Sequence, residues 1–542
     1  MKAASLIRAA ALSAILAASA PGGHVMAQTV EAPAGAVRGA TDAGIASFKG
    51  IPYALPPIGE RRWRPPVPAA RWTDERDATR FGAACVQPTP VVQTIYSADI
   101  GPTSEDCLTL NIWTPSTTGK APVMVWIHGG ALVTGGSKES LYDGAALARQ
   151  GVVVVTINYR LGVLGWLAHP DLSAESPAGI SGNYGLLDQI QALEWVKRNI
   201  ASFGGDPDQV TIAGESAGGL SVLYLMASPL AHGLFDRAIA QSAYMISTPE
   251  LKEARHGAPA AEEAGVATAR RLQAPSLRAM RGLDAQALTD QAALGGFATF
   301  GVVDGVVLPR QLIDTFDRGE QAKVPVLAGF NSGEIRSLRM LAPPTPANAD
   351  KYEQAIGERY GDLADAFLAL YPASDMGESI LATTRDALYG WTSERLVRSQ
   401  TAAGAPGYLY LFDHGYPAAD DAGLHAFHAS ELPYMFGNLN RTPPRWPKVP
   451  DTGDERALAD AMTAYWASFV REGRPTAAGE ADWARYGDDR AYMLFSARPT
   501  SATGLFPGMF ELHETAVQRR RTAGDQSWNW NTGLASPPLG SR

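Results

Sequence analysis

A serine flanked by glycines could serve as a nucleophile in this chain of 542 residues. Ser216 stands in the pentapeptide Gly-Glu-Ser-Ala-Gly, after the β-branched run 210–212 and before the apolar run 220–226. The pattern predicts a strand, a sharp turn and a helix, as in the Gly-x-Ser-x-Gly nucleophile elbow. In that elbow the glycines leave room for a strained turn, which holds the serine hydroxyl clear of the sheet. The alternative is a Gly-rich βα loop in which the serine is incidental.

A serine hydroxyl is a weak nucleophile until a base takes its proton, so Ser216 requires an imidazole that a carboxylate orients. In the elbow fold the acid follows the serine in the chain, and the histidine follows the acid. Two histidines of one loop qualify as the base, His425 and His428, and the residues alone do not separate them. His128 precedes the serine and stands at a strand exit, which favours a role in fixing a loop.

Two carboxylates qualify as the acid. Glu334 follows the apolar run 324–330 and a Gly/Asn turn, which puts it at the carboxyl edge of a predicted sheet. Ligands of open α/β sheets bind at that edge. Asp304 is the competitor, but it precedes Gly305, and this pattern is typical of a simple turn.

A tetrahedral intermediate also requires hydrogen-bond donors for its oxyanion. The apolar run 123–127 leads into the Gly-rich turn 128–131. This turn is similar to the HGGG-type motif, whose backbone N–H groups contribute to an oxyanion hole. We expect the donors to be the N–H groups of Gly130, Ala131 and Ala217, the last being the residue after the serine.

Apolar runs and helical patterns alternate along the chain. Continuous β-branched runs predict strands that are buried on both faces, as in a parallel sheet, and the apolar spacing in residues 186–200 predicts an amphipathic helix. The alternation predicts an α/β fold with a central, mostly parallel sheet flanked by helices. Residues 251–294 are predicted to form inserted helices over the strand ends. The predicted strands are 108–112, 123–127, 152–157, 210–212, 237–241, 324–330 and 408–412, with a hairpin at 37–48.

The first 27 residues resemble a secretory signal peptide, because Lys2 and Arg8 precede a short apolar run that small residues follow. Cleavage is predicted after Ala27, with Ala20 as the alternative. The predicted location is therefore the periplasm or the medium. The expected organisation is a signal peptide at 1–27, one catalytic domain at 28–530 and a flexible tail at 531–542.

Composition limits the partners. The chain has 46 basic and 55 acidic residues, a formal net charge of −9 and no extended basic run, which excludes nucleic acid as a partner. Beyond the signal no stretch is apolar enough to span a bilayer, so no membrane anchor is expected in the mature chain. Cys85 and Cys107 are the only cysteines, and an oxidising compartment predicts one disulfide between them rather than a metal site.

Many short motifs, all in the right order, give this chain a resemblance to the type-B carboxylesterases, a family of α/β-hydrolases. The likeness runs from about residue 37 to residue 510, and the chain looks like an exported bacterial member. The motifs are the segments 48–59, 105–111, 128–130, 158–160, 182–189, 214–218, 241–242 and 431–437.

The resemblance implies an α/β-hydrolase fold with helices inserted over an active-site gorge. It selects His428 over His425, because the family's histidine stands three residues before an acidic residue, here Glu431. It selects Glu334 because the family's acid is a glutamate. It also implies the Cys85–Cys107 disulfide and the oxyanion donors Gly130, Ala131 and Ala217.

The chain departs from the family in several places. The family commonly has glycine at three positions that differ here: Ala131, Ile335 and Ala429. These changes affect the expected shape of the pocket more than the triad. No tryptophan lies between Cys85 and Cys107, where cholinesterases have the ring that binds a quaternary ammonium, although Tyr96 is in that loop. Choline esters are therefore not expected as substrates.

The function that the resemblance implies is a serine carboxylic-ester hydrolase. It would form an acyl-enzyme on Ser216, with His428 as the base and Glu334 as the acid, and it would require no metal ion or organic cofactor. A binding protein of this fold is the alternative, although such proteins typically lack the nucleophile. Cleavage of amides, carbamates or lactones would use the same machinery. The ester substrate and the oligomeric state are not predicted.

Overall fold

The structure is a computed structural model that describes residues 26–528 and 532–540. The predicted signal peptide lies outside the described residues except for Met26 and Ala27, which begin the first strand. The strands are β1 (Met26–Ala32), β2 (Gly35–Asp42), β3 (Ile45–Pro52), β4 (Arg76–Asp77), β5 (Ala84–Cys85), β6 (Thr103–Ser104), β7 (Thr109–Thr114), β8 (Ala121–Ile127), β9 (Val153–Ile157), β10 (Gly205–Glu215), β11 (Arg237–Gln241), β12 (Val326–Asn331), β13 (Gly407–Phe412), β14 (Ala491–Phe495) and β15 (Pro499–Thr503).

Helices connect these strands and cover the sheet. A π-helical turn, Asp386–Gly390, joins α13 to α14. The α-helices are α1 (Ala145–Arg149), α2 (Gly162–Trp166), α3 (Pro170–Glu175), α4 (Tyr184–Asn199), α5 (Ala217–Ala227), α6 (Ala261–Arg271), α7 (Leu277–Arg281), α8 (Ala285–Leu294), α9 (Leu312–Asp317), α10 (Glu334–Ser337), α11 (Ala349–Tyr360), α12 (Ala364–Leu370), α13 (Met376–Arg385), α14 (Trp391–Ala402), α15 (Pro417–Asp421), α16 (Leu432–Met435), α17 (Gly453–Glu472) and α18 (Met509–Ala523).

Thirteen of the described strands form one sheet, in the order β1-β2-β3-β7-β9-β8-β10-β11-β12-β13-β14-β15, with β4 beside β2. The remaining two, β5 and β6, pair with each other. The consecutive strands from β9 to β14 in this order run parallel, and antiparallel strands extend the sheet at both edges. The predicted α/β fold, with a mostly parallel central sheet flanked by helices, is confirmed.

Both faces of the sheet are covered by apolar layers. Along β8, Val123, Val125 and Ile127 enter one layer, and Met124 and Trp126 enter the other. The first layer contains side chains of α4 and α5, and the second contains side chains of α17. Because neither face of the central strands meets water, their sequences are apolar without interruption. This is why the runs in the sequence predict these strands well.

The predicted elements are present, with shifts of a few residues at their ends. The hairpin predicted at 37–48 is formed by β2 and β3, the helix predicted at 186–200 is α4, and the predicted inserted helices at 251–294 are α6, α7 and α8. The edge hairpin of β14 and β15 was not predicted. Its strands are short and partly exposed, so they lack the continuous apolar run that marks the central strands.

Cys85 and Cys107 form the predicted disulfide. The loop between them is also held at Thr89, because both the backbone N–H and the hydroxyl of Thr89 donate to Asp290 of α8, at 2.7 and 3.0 Å. The loop thus connects the sheet to an inserted helix. No helix in the described part of the chain is long and apolar enough to cross a membrane.

The described part of the segment predicted as a flexible tail, 532–540, lies against α11. Gly533 N donates to the hydroxyl of Tyr360, and Leu539 N donates to the carbonyl of Arg359, both at 2.8 Å. These contacts pack the segment, whereas its Gly-, Pro- and Ser-rich composition favours a frayed end. Local composition cannot predict hydrogen bonds to a helix that is distant in the sequence.

Two glycines allow β8, β10 and α5 to meet at the carboxyl end of the sheet. A Cβ atom on Gly218 would lie 2.0 Å from the carbonyl oxygen of Ile127, and one on Gly214 would lie 2.5 Å from the backbone of Gly218. Neither overlap can relax by the movement of a side chain, because the opposing atoms are backbone. The turn from strand to helix therefore requires glycine at both positions.

Replacing Gly218 by alanine is expected to destabilise the protein by about 2–3 kcal/mol, since the methyl group overlaps the Ile127 carbonyl. Gly357 provides the control, because it lies exposed inside α11 and a methyl group there meets no atom within 4 Å. Gly357→Ala is expected to stabilise by about 0.5–1 kcal/mol. Midpoints of urea unfolding measure both changes, and equal midpoints for wild type and Gly218→Ala would contradict the packing argument.

Candidate active site

The carboxyl ends of four adjacent strands converge on one region. The register pairs Ile127 of β8 with Gly214 of β10, Glu215 of β10 with Gln241 of β11, and Gln241 with Gly329 of β12. The chain runs from β8 to β9 on one side and then to β10 on the other. The segments that follow β8 and β10 therefore face each other at a switch point of the strand order, which is where open α/β sheets bind ligands.

Ser216 joins β10 to α5 in a conformation that residues with a side chain rarely adopt, with φ 57° and ψ −119°. Its N–H donates to the carbonyl of Gln241 (3.0 Å), and its own carbonyl accepts from Leu220 N in the first turn of α5 (2.9 Å). Backbone strain of this kind costs about 1–3 kcal/mol and is typical of functional sites. The predicted strand, sharp turn and helix are all present around this serine.

Glu334 and His428 lie against each other. The Glu334 carboxylate is fully buried, and one oxygen accepts hydrogen bonds from Asn331 N (2.9 Å) and from the Ser242 hydroxyl (2.6 Å). The other oxygen accepts from His428 Nδ1. With the proton held on Nδ1, the neutral imidazole has its free electron pair on Nε2. The pair therefore has the orientation that general-base catalysis through Nε2 requires.

The rival residues lie outside this pair. The Asp304 carboxylate accepts from the backbone N–H groups of Val306, Val307 and Leu308, so it caps a turn, as its sequence suggests. His425 contacts Asp420 through Nδ1 (2.8 Å) and Asp413 through Nε2 (3.2 Å), and its side chain is 41% exposed. Neither of these residues contacts Glu334 or His428.

Glu215, the residue before the serine, is a further neighbour of the imidazole. His428 Nε2 lies 3.0 Å from a carboxylate oxygen of Glu215, whereas Ser216 Oγ has no hydrogen bond within the described chain. Burial raises the pKa of Glu215. Burial alone would lower the pKa of His428, but the charges of Glu215 and Glu334 outweigh it and raise that pKa. Both raised pKa values thus favour a proton between the Glu215 carboxylate and the His428 imidazole.

A third buried carboxyl group, Glu431, lies behind the pair. It accepts hydrogen bonds from Gln241 Nε2 (2.9 Å) and Asn331 Nδ2 (2.6 Å), and Trp466 Nε1 in turn donates to Gln241 Oε1 (3.0 Å). Burial and the charge of Glu334 raise the pKa of Glu431. Glu334 and Glu431 are both fully buried, so neither carboxyl group is in contact with water.

The residues that surround the pair have no role that the sequence predicts. A signal was nevertheless present, because each stands at a strand end or within a motif of the resemblance. These residues are Glu215, Gln241, Ser242, Asn331 and Glu431.

The predicted oxyanion donors lie together at the ends of β8 and β10. Within the described residues, the backbone N–H groups of Gly130, Ala131 and Ala217 have no hydrogen-bond acceptor. Ala131 and Leu132 both have positive φ, 57° and 61°, and Val133 N donates back to the Gly130 carbonyl (2.9 Å). The N–H groups of this tight turn thus remain free to bind an anionic oxygen.

His128 holds this turn in place. Its ring stacks on Tyr159 at 4.6 Å between centroids, its Nδ1 donates to the Gly129 carbonyl (2.8 Å), and its own carbonyl accepts from the Tyr159 hydroxyl (2.8 Å). Burial lowers the pKa of His128 to about 4, so the imidazole is neutral at ordinary pH. These contacts fit the loop-fixing role that its position suggests.

Aromatic rings enclose the imidazole. The Tyr389 ring lies 5.4 Å and the Tyr96 ring 6.3 Å from the His428 ring, and Tyr244 packs on Tyr389 at 6.1 Å. Tyr389 belongs to the π-helical turn, a feature that is frequent at functional sites. The described residues include no cluster of His, Cys, Asp and Glu that could hold a metal ion.

Known proteins similar to this chain belong to one family. The model of the carboxylesterase family matches residues 26–510. The chain belongs to the carboxylesterase family. It is 37% identical over 481 residues to a fumonisin B1 esterase of Sphingopyxis macrogoltabida, with 87% of each chain covered. It is 36% identical over 472 residues to a para-nitrobenzyl esterase of Bacillus subtilis, with 85% of this chain and 93% of that one covered.

Solved structures agree with this assignment. A PNB esterase structure matches with a TM-score of 0.77 at 32% identity, over 90% of this chain and 99% of that chain. A carboxylesterase of Geobacillus stearothermophilus matches with a TM-score of 0.71 at 33% identity, over 89% and 99%. This member of the carboxylesterase family is a carboxylic ester hydrolase with an α/β-hydrolase fold, and both predictions are confirmed.

The contact between Glu215 and His428 predicts a shift in the pH profile. His428 is the predicted base, and a base must be unprotonated, so kcat/KM is expected to rise with pH through the pKa of His428. Glu215→Gln removes a carboxylate that raises this pKa, and the acidic limb of the profile is expected to move to lower pH by about one unit. The measurement is kcat/KM for an activated aryl ester between pH 4 and pH 10.

Glu139→Gln is the control for this experiment. Glu139 is a half-buried carboxyl group that accepts from Gly136 N (3.2 Å), and it makes no hydrogen bond or ion pair with His428. Its glutamine variant is expected to keep the wild-type limb. A Glu215→Gln profile that superimposes on the wild-type profile would show that Glu215 does not act on the base.

Proposed function

We propose that this carboxylic ester hydrolase acts as a serine hydrolase, through an acyl-enzyme on Ser216 with His428 as the base and Glu334 as the acid. The observation that carries the proposal is the buried Glu334–His428 pair beside a strained serine at the end of β10. The three free N–H groups at the same strand ends support it, because acyl transfer requires donors for the oxyanion.

Acylation begins when Ser216 Oγ attacks the ester carbonyl carbon and its proton passes to His428 Nε2. In the resting structure His428 Nε2 contacts the Glu215 carboxylate. Ser216 is the next residue in the chain, so a small movement of the imidazole would replace that contact by one with Ser216 Oγ. The oxyanion that forms accepts hydrogen bonds from the N–H groups of Gly130, Ala131 and Ala217. The alcohol then leaves with the proton from His428, and the acyl group remains on the serine.

Deacylation repeats these steps with water. His428 Nε2 takes a proton from water, the hydroxide attacks the acyl carbonyl, and the same N–H groups hold the second oxyanion. The carboxylic acid leaves as Ser216 recovers its proton from His428. In both halves the Glu334 carboxylate keeps the proton on Nδ1 and stabilises the imidazolium.

The substrate class is a small or medium-sized carboxylic ester. The related enzymes are named after quite different esters: fumonisin B1, para-nitrobenzyl esters and cocaine. We therefore infer ester hydrolysis for this chain, but no individual substrate. The tyrosine rings around His428 favour an apolar group close to the scissile bond.

Ser216→Ala is expected to lower kcat on an activated aryl ester by about 10⁶-fold, since the variant has no nucleophile. Ser228→Ala is the control, because Ser228 follows the same helix and its buried hydroxyl has no partner within the described chain. An organophosphate is expected to label the wild-type protein once, on the peptide that contains Ser216. Wild-type activity in Ser216→Ala, or a label on another residue, would overturn the proposal.

We also propose that the protein is exported and that residues 1–27 are removed. Support comes from the charge and apolar pattern of those residues and from the disulfide. Cleavage after Ala27 would shorten β1 to residues 28–32, which still pair with β2. Produced as the full chain in a Gram-negative host, the protein released by osmotic shock is expected to begin at Gln28 by mass spectrometry. An intact Met1 would contradict the proposal, and a start at Pro21 would move the cut to Ala20.

A further inference from the structure

We infer that Tyr96, in the loop closed by the Cys85–Cys107 disulfide, is a positioning residue for His428. Its phenol hydroxyl holds the backbone of the histidine, so that the imidazole keeps Nδ1 against Glu334 and Nε2 beside Glu215, the residue before Ser216. The inference rests on the proposed function, because it concerns the residue that acts there as the base.

A single phenol oxygen connects the acid and the base segments. The Tyr96 hydroxyl has two acceptors for its one proton, the backbone carbonyl of His428 at 3.0 Å and the hydroxyl oxygen of Ser337 at 2.6 Å. Ser337 is the last residue of α10, the short helix that begins with Glu334. The disulfide loop therefore contacts both segments that carry the buried pair.

The His428 carbonyl depends on this contact. Among the described residues, no backbone N–H donates to the His428 carbonyl, and the Tyr96 hydroxyl is the one side-chain group that does. His428 is buried, and a buried carbonyl without a donor is costly. The next residue, Ala429, has a φ of 66°, so the backbone directly after the histidine also lacks regular secondary structure.

The ring of Tyr96 completes the arrangement. It meets the Trp446 ring edge to face at 5.9 Å, and Trp446 packs on Phe427, the residue before His428, at 4.7 Å. The backbone of Phe427 is held as well, because Asn331 Nδ2 donates to the Phe427 carbonyl (2.8 Å). Tyr96 thus contacts the histidine segment both through its hydroxyl and, by way of Trp446, through its ring.

The loop that carries Tyr96 can act as a support because it is itself fixed. The disulfide joins its ends, Thr89 binds Asp290 of α8, and Asn158 Nδ2 donates to the Cys107 carbonyl (3.1 Å). A side chain on such a loop places its hydroxyl with little freedom. Misplacement of a catalytic group by a fraction of an ångström reduces the rate of the chemical step more than substrate binding.

Tyr96→Phe is the decisive variant, because it removes the hydroxyl and keeps the ring. We expect kcat per active site to fall about tenfold while KM stays within about twofold. Active sites are counted by stoichiometric organophosphate labelling of Ser216, so that misfolded protein does not enter the rate. A purely structural role for Tyr96 would lower the number of active sites and leave kcat per site unchanged.

The pH profile supplies a second readout. The groups that face His428 are Glu215, Glu334, Glu431, Tyr96 and Tyr389. When the histidine backbone loosens, its imidazolium loses alignment with Glu334, and the acidic limb of kcat/KM is expected to move to lower pH. Loss of folded protein alone would not move that limb.

Two further variants control the experiment. Tyr352→Phe removes a buried hydroxyl that also donates to a backbone carbonyl, that of Tyr371 (3.0 Å), but lies on α11 away from the pair, so it is expected to keep the wild-type kcat. Ser337→Ala removes the other partner of the Tyr96 hydroxyl and leaves the bond to His428. It is expected to cost less than twofold in kcat.

The outcomes separate the alternatives. A Tyr96→Phe enzyme with kcat per site within twofold of wild type would overturn the inference. So would a rise in KM with unchanged kcat, which would show that Tyr96 lines the substrate pocket instead. A fall in kcat for Ser337→Ala as large as for Tyr96→Phe would show that the bond of Tyr96 to α10, and not its bond to His428, matters. That result would also overturn the inference. A fully active His428→Ala would instead contradict the proposed function, whereas an inactive His428→Ala leaves the test of Tyr96 valid.

Discussion

A fully buried carboxylate, Glu334, constrains the rest of the site. A charge without access to water is costly unless hydrogen-bond donors and a cation compensate it. Here the donors are Asn331 N and the Ser242 hydroxyl at two neighbouring strand ends, and His428 Nδ1 donates to the other carboxylate oxygen. In the proposed mechanism the imidazolium of His428 is the cation. The side chains that compensate Glu334 therefore lie close to the serine, and Glu431 extends the same buried network one layer deeper.

The parallel sheet supplies this compensation at little cost in conformational freedom. Adjacent parallel strands end at one edge, so the segments after β8, β10, β11 and β12 meet without long excursions. The same edge carries the proposed oxyanion donors, because Ala217 begins α5 and Gly130 follows β8. Donors fixed by strands and turns are oriented before substrate arrives, which is the physical basis of preorganised electrostatic stabilisation.

Residues of the site differ in how far the sequence predicts them. Ser216 is predictable because the spacing of its glycines and the adjacent strand and helix patterns are local. Chemistry alone does not separate His428 from His425, since both belong to one loop, and the resemblance to a family motif was needed to choose. The structure shows the physical difference: His428 is buried against Glu334, whereas His425 is 41% exposed between two aspartates.

The sequence by itself determined the elbow, the central strands, the order of the predicted triad and the family, because these depend on neighbours in the chain or on motifs in a fixed order. Only the tertiary structure decided which groups surround the base. Gln241 and Glu431 are 190 residues apart, and Tyr96 and His428 are 332 residues apart, yet each pair is hydrogen-bonded. Such contacts follow from strand order and register, which no local pattern encodes.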